Sequence, residues 1–261
     1  MARLSQIFVY PIKSCAGIAL DEAEVTPRGF AHDRNWMVID EKGKFVTQRS
    51  YPLMSQISVS LTDEGLLITA DGISPLRISY EAHEAMTSVE IWRDTILAQE
   101  VSTEAHQWFS QFLGAELRLV LMPEKTVRTV NPEHDRGQDQ VGFADGYPFL
   151  VLSQASLDDL QSRSGMKIDA LRFRPNLVIE DTNPYEEDEY TSFSIDGIRF
   201  HTVKPCARCV IPTIDPHTGS KQPELNRVMA DYRTSNGAII FGQNLVHDGA
   251  GSIRVGSDLV F

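Results

Sequence analysis

Residues 4 to 92 alternate short β-type apolar segments with turn residues, a rhythm that leaves a chain few options besides antiparallel sheet. The segment "LSQIFVYPI" is followed by "NWMVID" and "KFVTQR" joined through "EKGK", by "QISVSL" and "LLITA" across "TDEG", and then by "LRISY" and "SVEIW". Each run is too short for an ordinary helix, is rich in Val, Ile and aromatic residues, and is bounded by turn formers, which together predict a strand. One helix should interrupt this meander at about residues 103 to 113, "TEAHQWFSQFL", where Trp108, Phe109, Phe112 and Leu113 form an apolar stripe and Gly114 supplies the stop.

Residues 122 to 140, "MPEKTVRTVNPEHDRGQDQ", are polar and aperiodic, the pattern of a connection or mobile loop. The domain boundary is placed there, between a first domain of residues 1–121 and a second of residues 141–261. In the second half "PFLVLS" reads as a strand running straight into the helix "SLDDLQSRSG", with capping-box spacing between Ser156 and Asp159 and a stop at Gly165. A strand that feeds a helix N-terminus is a ready anion site, because the first amide N–H groups lack partners inside the helix. Asp196-Gly197 in "SFSIDGIRFHTV" predicts a hairpin, "PELNRVMADYR" a helix behind a proline, and "SIRVGSDLVF" a last strand. The acidic run "EDTNPYEEDEY", residues 180 to 190, is expected to be a solvated loop with little weight as a cation site. The predicted class is β-rich α+β with a few short helices.

Charge narrows the partners. Lys and Arg total 24 against 36 Asp and Glu, and the net charge of −12 disfavours diffuse attraction to nucleic-acid phosphates or anionic membranes. No apolar stretch approaches the roughly 18 residues of a membrane span, and "MARLSQIFVYPIKS" lacks the basic-then-apolar pattern of a secretion signal. The expectation is a soluble cytoplasmic protein with neither membrane nor stable nucleic-acid binding. Three cysteines in 261 residues do not make a secreted disulfide framework, so free thiols or a metal ligand are expected.

Two of those cysteines, Cys206 and Cys209, share the stretch "VKPCARCVIPTIDPHTG" at the end of the predicted hairpin. C-x2-C is half of a structural zinc set, but no second pair has ligand spacing, and only Cys15 plus a histidine could complete it in space. A thioredoxin-like pair should precede a helix, whereas the sequel here is extended and turn-rich. A single thiolate ligand remains, with Lys204 and Arg208 close in sequence to favour its ionised form. Two cysteines packed as small apolar residues is the bland alternative.

Several stretches in fixed order resemble the MOSC family, in the branch with an extra N-terminal β-barrel domain that contains bacterial N-hydroxyl-compound reductases and the mitochondrial amidoxime-reducing component. They are "YPIKSCAG" (10–17), "GFAHDRNWMVID" (29–40), "FVTQR" (45–49), "FADGYPFLVLSQASL" (143–157), "FRPNLVI" (173–179), "KPCARCVIPTIDPHTG" (204–219) and "FGQNL" (241–245). The resemblance implies an N-terminal MOSC-type β-barrel domain followed by a MOSC β-barrel domain, with the molybdenum cofactor in the cleft between them. It implies that Cys209, and not Cys206, is the metal ligand and catalytic centre. By the same resemblance Lys13, Ser14, Arg34, Asp145, Arg174 and Asn176, with the backbone of Ala207 and Arg208, contact the cofactor.

The implied activity is reduction of N-hydroxylated amidines, bases and hydroxylamines by oxygen-atom transfer to molybdenum. Because the chain carries no cysteine-rich iron–sulfur segment, electrons are expected from a separate ferredoxin-, flavodoxin- or flavoreductase-like protein. A cofactor carrier or storage protein without turnover is the alternative. Asp215, before Pro216, is expected to hold a turn.

Overall fold

The computed structural model describes residues 1–137 and 139–261, so position 138 of the predicted connection lies outside the described residues. The first half contributes β1 (Arg3–Val9), β2 (Ile18–Leu20), β3 (Glu22–Thr26), β4 (Gly29–Phe30), β5 (Trp36–Asp40), β6 (Ser58–Thr62), β7 (Gly65–Ala70), β8 (Ile73–Ser79), β9 (Met86–Ile91), β10 (Asp94–Glu100), α1 (Thr103–Leu113) and β11 (Leu117–Leu121). The second contributes β12 (Phe149–Ser153), α2 (Gln154–Ser164), β13 (Leu177–Glu180), β14 (Ser192–Ile195), β15 (Ile198–Ala207), α3 (Glu224–Arg233), β16 (Thr234–Ser235), β17 (Ala238–Asp248) and β18 (Gly251–Arg254). The fold is of the β-rich α+β class.

Local signals explain the elements that form as predicted. At the start of α1 the Ser102 hydroxyl accepts from the Ala105 N–H, and at its end Gly114 takes φ 68°, a left-handed value that glycine adopts without strain. Trp108 and Phe109 on its buried face join Trp36, Val38, Met54 and Ile68 in the core of the first half. Asp196 and Gly197 both have positive φ, the geometry of a two-residue hairpin turn, and they join β14 to β15.

Other expectations fail for physical reasons. Residues 44–49 are not a strand: Lys44 and Phe45 make only isolated bridges to Glu90 and Ile39, and the chain then turns at Thr47, whose carbonyl accepts from Ser50 and Tyr51. The turn lets Gln48 point inward and donate to the Ser14 carbonyl at 2.7 Å. β8 does not continue the meander into β9. Instead β6, β7 and β8 form one sheet, while β9 folds back on β10 in another of order β5-β11-β10-β9. Between β9 and β10 stand only Trp92 and Arg93, a turn with no glycine, proline or asparagine to announce it.

The N-terminus of α2 is also built differently. Its cap is Ser153, whose hydroxyl accepts from the Ser156 N–H, so the helix starts earlier than a Ser156 cap would place it. The anion expected there is part of the chain itself. Glu187, from the acidic run, is 0% exposed, and its carboxylate accepts from the Ser153 N–H at 3.2 Å and from the Ser156 hydroxyl at 2.8 Å. That run is therefore not simply a solvated loop: Tyr185 and Asp188 also bond inward, to Asp159 and to Arg233 and Gln243.

The largest sheet runs β14-β15-β17-β12-β13-β1-β2, with β16 beside β17. The first strand of the chain thus lies in the sheet of the second half: β1 pairs antiparallel with β13, Ile7 opposite Leu177, and β3 likewise pairs with β18. Leu4, Ile7 and Val9 of β1 pack in one core with Phe149, Leu177 and Phe200. β12 and β13 are parallel and are joined across α2. Among the described residues no helix is long and apolar enough to cross a membrane.

Candidate functional site

Every site residue named from the sequence lines one cavity of about 170 Å³. Lys13 and Ser14 reach it from the loop after β1, Arg34 from the loop before β5, Asp145 from the segment before β12, Arg174 and Asn176 from the segment before β13, and Ala207, Arg208 and Cys209 from the end of β15. Three of these residues hold left-handed backbone: Ser14 at φ 69°, Arg34 at φ 49° and Arg174 at φ 54°. Such conformations cost on the order of 1–3 kcal/mol each for a side-chain-bearing residue and persist where the surroundings enforce them, often at sites.

Cys209 is part of this lining. The Cys209 sulfur accepts from the Ile211 N–H at 3.4 Å and from Arg49 Nη2 at 3.6 Å. Cys206 differs: burial pushes its thiol up, with Arg208 and Asn244 opposing, and its sulfur lies 3.9 Å from the Ala207 carbonyl. All three cysteines are free, and Cys15 is buried, its thiol pushed up to about 12 by that burial. Among the described residues no group of three or more His, Cys, Asp and Glu side chains converges as a metal cage, so nothing completes a zinc set around the pair.

The cations expected beside the sulfur are committed elsewhere. Arg208 donates from its guanidinium to the Phe241 and Phe173 carbonyls and from its N–H to Ile239, leaving it no main-chain donor for a ligand. Lys204 lies with its ammonium 5.5 Å from the Tyr147 ring. Arg49 takes their place at the sulfur. It was not among the predicted residues, because "FVTQR" reads as a strand end until Thr47 is seen to turn it inward.

The interior wall sorts its polar groups into spent and unspent. Asn176, buried, accepts from Arg34 Nη1 and donates to the Phe8 carbonyl and to Asp33. Arg34 is ion-paired with the buried Asp33 and also donates to the Arg174 carbonyl at 3.1 Å. These two residues therefore build the wall. Arg174 is different: Nη1 donates to the Cys15 carbonyl at 2.7 Å, but Nη2 is buried with no partner among the described residues. Its guanidinium and that of Arg34 lie 4.2 and 4.3 Å from the Tyr10 ring centroid. Burial, and then the charge of Arg34, lowers Arg174 to about 10.

Lys13, buried, donates to the Phe143 carbonyl at 2.8 Å and is ion-paired with Asp145. Burial lowers it to about 8, and the carboxylate opposes that shift. Burial works against the Asp145 charge too, but Lys13 and then Arg49 and Trp92 prevail, so its carboxyl stays below the usual carboxylate range. With an Asp145 side chain 59% exposed, we read this pair as the cavity's rim rather than its floor.

Two further residues carry no sequence signal of their own. Arg172, buried, holds Asp215 at 2.7 Å and Gln222 at 2.7 Å. Asp215 in turn accepts from the His217 and Thr218 N–H groups, the turn role expected of it. Trp92 sits at φ 56°, left-handed backbone that costs a bulky residue roughly 1–2 kcal/mol. Its indole N–H donates to Asp145 at 3.2 Å, and its ring lies 4.7 Å from the Arg49 guanidinium.

A buried guanidinium with an unpartnered nitrogen and a buried ammonium are donors suited to an anionic ligand, and Cys209 in the same lining offers a soft sulfur. Residues 1–116 match the family model of the MOSC N-terminal beta barrel domain, and residues 138–260 that of the MOSC domain. Over 97% of its length the chain is 35% identical to mitochondrial amidoxime-reducing component 1 of Mus musculus, covering 80% of that protein, and 31% identical to the Homo sapiens protein of the same name, covering 81%. It is 28% identical to the molybdenum cofactor sulfurase of Solanum lycopersicum over 98% of this chain and 35% of that one. The chain belongs to the MOSC family, in the arrangement with a MOSC N-terminal β-barrel domain ahead of the MOSC domain.

Proposed function

We propose that this chain is a molybdenum-cofactor-dependent oxidoreductase that reduces N-hydroxylated compounds such as amidoximes, N-hydroxylated bases and hydroxylamines. Electrons come from a separate ferredoxin-, flavodoxin- or flavoreductase-like protein. The observation that carries the reading is that one cavity is lined by both Cys209 and Arg174, whose Nη2 is buried with no partner among the described residues. The names of the amidoxime-reducing relatives support the same chemistry.

Cys209 would ligate the metal, and Arg174, Lys13 and Ser14 would hold the phosphate-bearing end of the pterin. When bound, the cofactor supplies two-electron chemistry for the net reaction R–NHOH + 2 e⁻ + 2 H⁺ → R–NH2 + H2O. The chain's own groups prepare the site. Ile211 N–H and Arg49 orient the sulfur, Asp33 and Asn176 fix Arg34 in the wall, and the Asp145–Lys13 pair sets the charge at the rim.

The test is reduction of an N-hydroxylated base with an artificial electron donor, alongside molybdenum and pterin content. Cys209→Ala should abolish turnover and lose or misplace molybdenum, while Cys206→Ala keeps most of both. Equal loss in the two variants would restore the paired-cysteine reading. Full pterin and molybdenum with no turnover of any N-hydroxylated compound would identify a carrier instead.

A further inference from the structure

Beside the Cys209 cavity lies a wider one of about 420 Å³, which shares Asp145, Gly146 and Tyr147 with it. Its size falls within the about 300–1,000 Å³ typical of small-molecule sites. Two aromatic side chains, Trp92 and Tyr147, and two cations, Arg93 and Lys204, contribute to its lining.

The ion pairs leave this wall positive. Arg128 is paired with Asp94 at 2.7 Å, and Asp145 with Lys13 and Arg49. Arg93 and Lys204 form no ion pair among the described residues. The Lys204 ammonium lies over the Tyr147 ring, and Arg93 is near enough to oppose the upward push that burial gives the Tyr147 phenol, a push to which Glu133 adds. In a chain of net charge −12, two cations without an ion pair among the described residues, beside one cavity, are a local reversal of sign that draws anions in.

The aromatic wall is placed deliberately. Trp92 occupies a two-residue turn at a backbone conformation in which glycine would be relaxed, and three contacts hold it there: the Asp145 bond, the Arg49 guanidinium, and the Phe45 ring 5.1 Å away. Trp92 is 47% exposed. A large ring held in strain and left half open to solvent is a surface for a ligand to cover.

We propose that this second cavity is the substrate subsite for a flat aromatic group with an anionic tail, so that among N-hydroxylated compounds the chain prefers a nucleotide. The base lies against Trp92 and Tyr147, the phosphate against Arg93 and Lys204, and the N–OH end is directed to the neighbouring Cys209 cavity. The inference rests on the function proposed above and adds a substrate class to it.

The experiment compares a ribonucleoside 5′-monophosphate carrying an exocyclic N–OH on its base with the same nucleoside lacking phosphate, using cofactor-loaded protein and an artificial donor. KM for the nucleotide should be lower by roughly tenfold, the effect of one good charge-assisted contact, and the advantage should shrink as salt rises. In the Arg93→Ala/Lys204→Ala double variant the ratio of the two KM values should fall to about one. Equal KM values in the unaltered protein, or a ratio that survives the double variant, would overturn the subsite while leaving the reductase reading intact. Failure to reduce either compound would count against the reductase reading, and binding then decides the subsite. Calorimetry with adenosine monophosphate and adenosine should show tighter binding of the nucleotide that the double variant removes; no difference between the two ligands would overturn it.

Discussion

Arg34 and Arg174 would pass for equivalents in a sequence, yet their surroundings assign them opposite work. Arg34 neutralises Asp33, a buried carboxylate that also accepts from the Tyr10 N–H and from Asn176. Arg34→Ala would strand that charge and should destabilise the protein by about 3–5 kcal/mol, measured by urea unfolding. Arg174 strands no carboxylate when removed and carries the open donor. Arg174→Ala should cost less in stability and weaken pterin retention by about 1–3 kcal/mol, measured as cofactor kept through dialysis. Pterin content unchanged by Arg174→Ala would argue against an anionic ligand at that nitrogen. The residue types were legible in "GFAHDRN" and "FRPN"; which donors remain free was not, because that depends on main-chain carbonyls brought in from distant segments.

At the scale of elements, α1 was readable from end to end because its cap, stripe and stop are all local. The start of α2 was not, because its decisive partner arrives from residue 187. Glu187→Ala should leave the Ser153 N–H and Ser156 hydroxyl short of an acceptor and cost about 1–3 kcal/mol. Burial raises the Glu187 carboxyl above its ordinary 4.5, with the Ser153 and Ser156 donors opposing. Between 4.5 and that raised value the folded chain keeps a proton that the unfolded chain has released. The contribution therefore favours the fold fully below pH 4.5 and is lost as pH rises through the folded value. Glu187→Gln should flatten the dependence of the urea midpoint on pH in that window; an unchanged slope would place the titrating group elsewhere. The hairpin of β9 and β10 teaches the complementary lesson. Its turn is made of Trp92 and Arg93, with Trp92 at φ 56°, so a turn built without glycine, proline or asparagine is hidden from a search for turn formers.

For the whole molecule, the polar stretch at 122–140 divides the chain in sequence but not in its sheets. β1 completes the edge of β13, and Leu4, Ile7 and Val9 are fully buried against the second half. Truncating a buried Leu or Ile costs about 2–5 kcal/mol, against a total stability of about 5–15 kcal/mol, so removing all of β1 exceeds what the second half can spare. A fragment of residues 122–261 should therefore fail to unfold cooperatively in urea and should expose the β13 edge to aggregation, while the full chain gives a single transition. A cooperatively folded, monomeric fragment would contradict this account.

By itself the sequence determined most of the strands, the hairpin at Asp196-Gly197 and the first helix, because alternation, capping and turn chemistry act within a few residues of one another, whereas the set of site residues was legible only through the resemblance of ordered motifs to a family. Only the tertiary structure decided that Arg49 rather than Lys204 or Arg208 stands at the Cys209 sulfur, that Arg174 keeps an open nitrogen, and that the first strand closes the last sheet. Those outcomes are settled by which distant carbonyls and carboxylates satisfy each buried donor, and a buried polar group must be satisfied by whatever the fold brings to it.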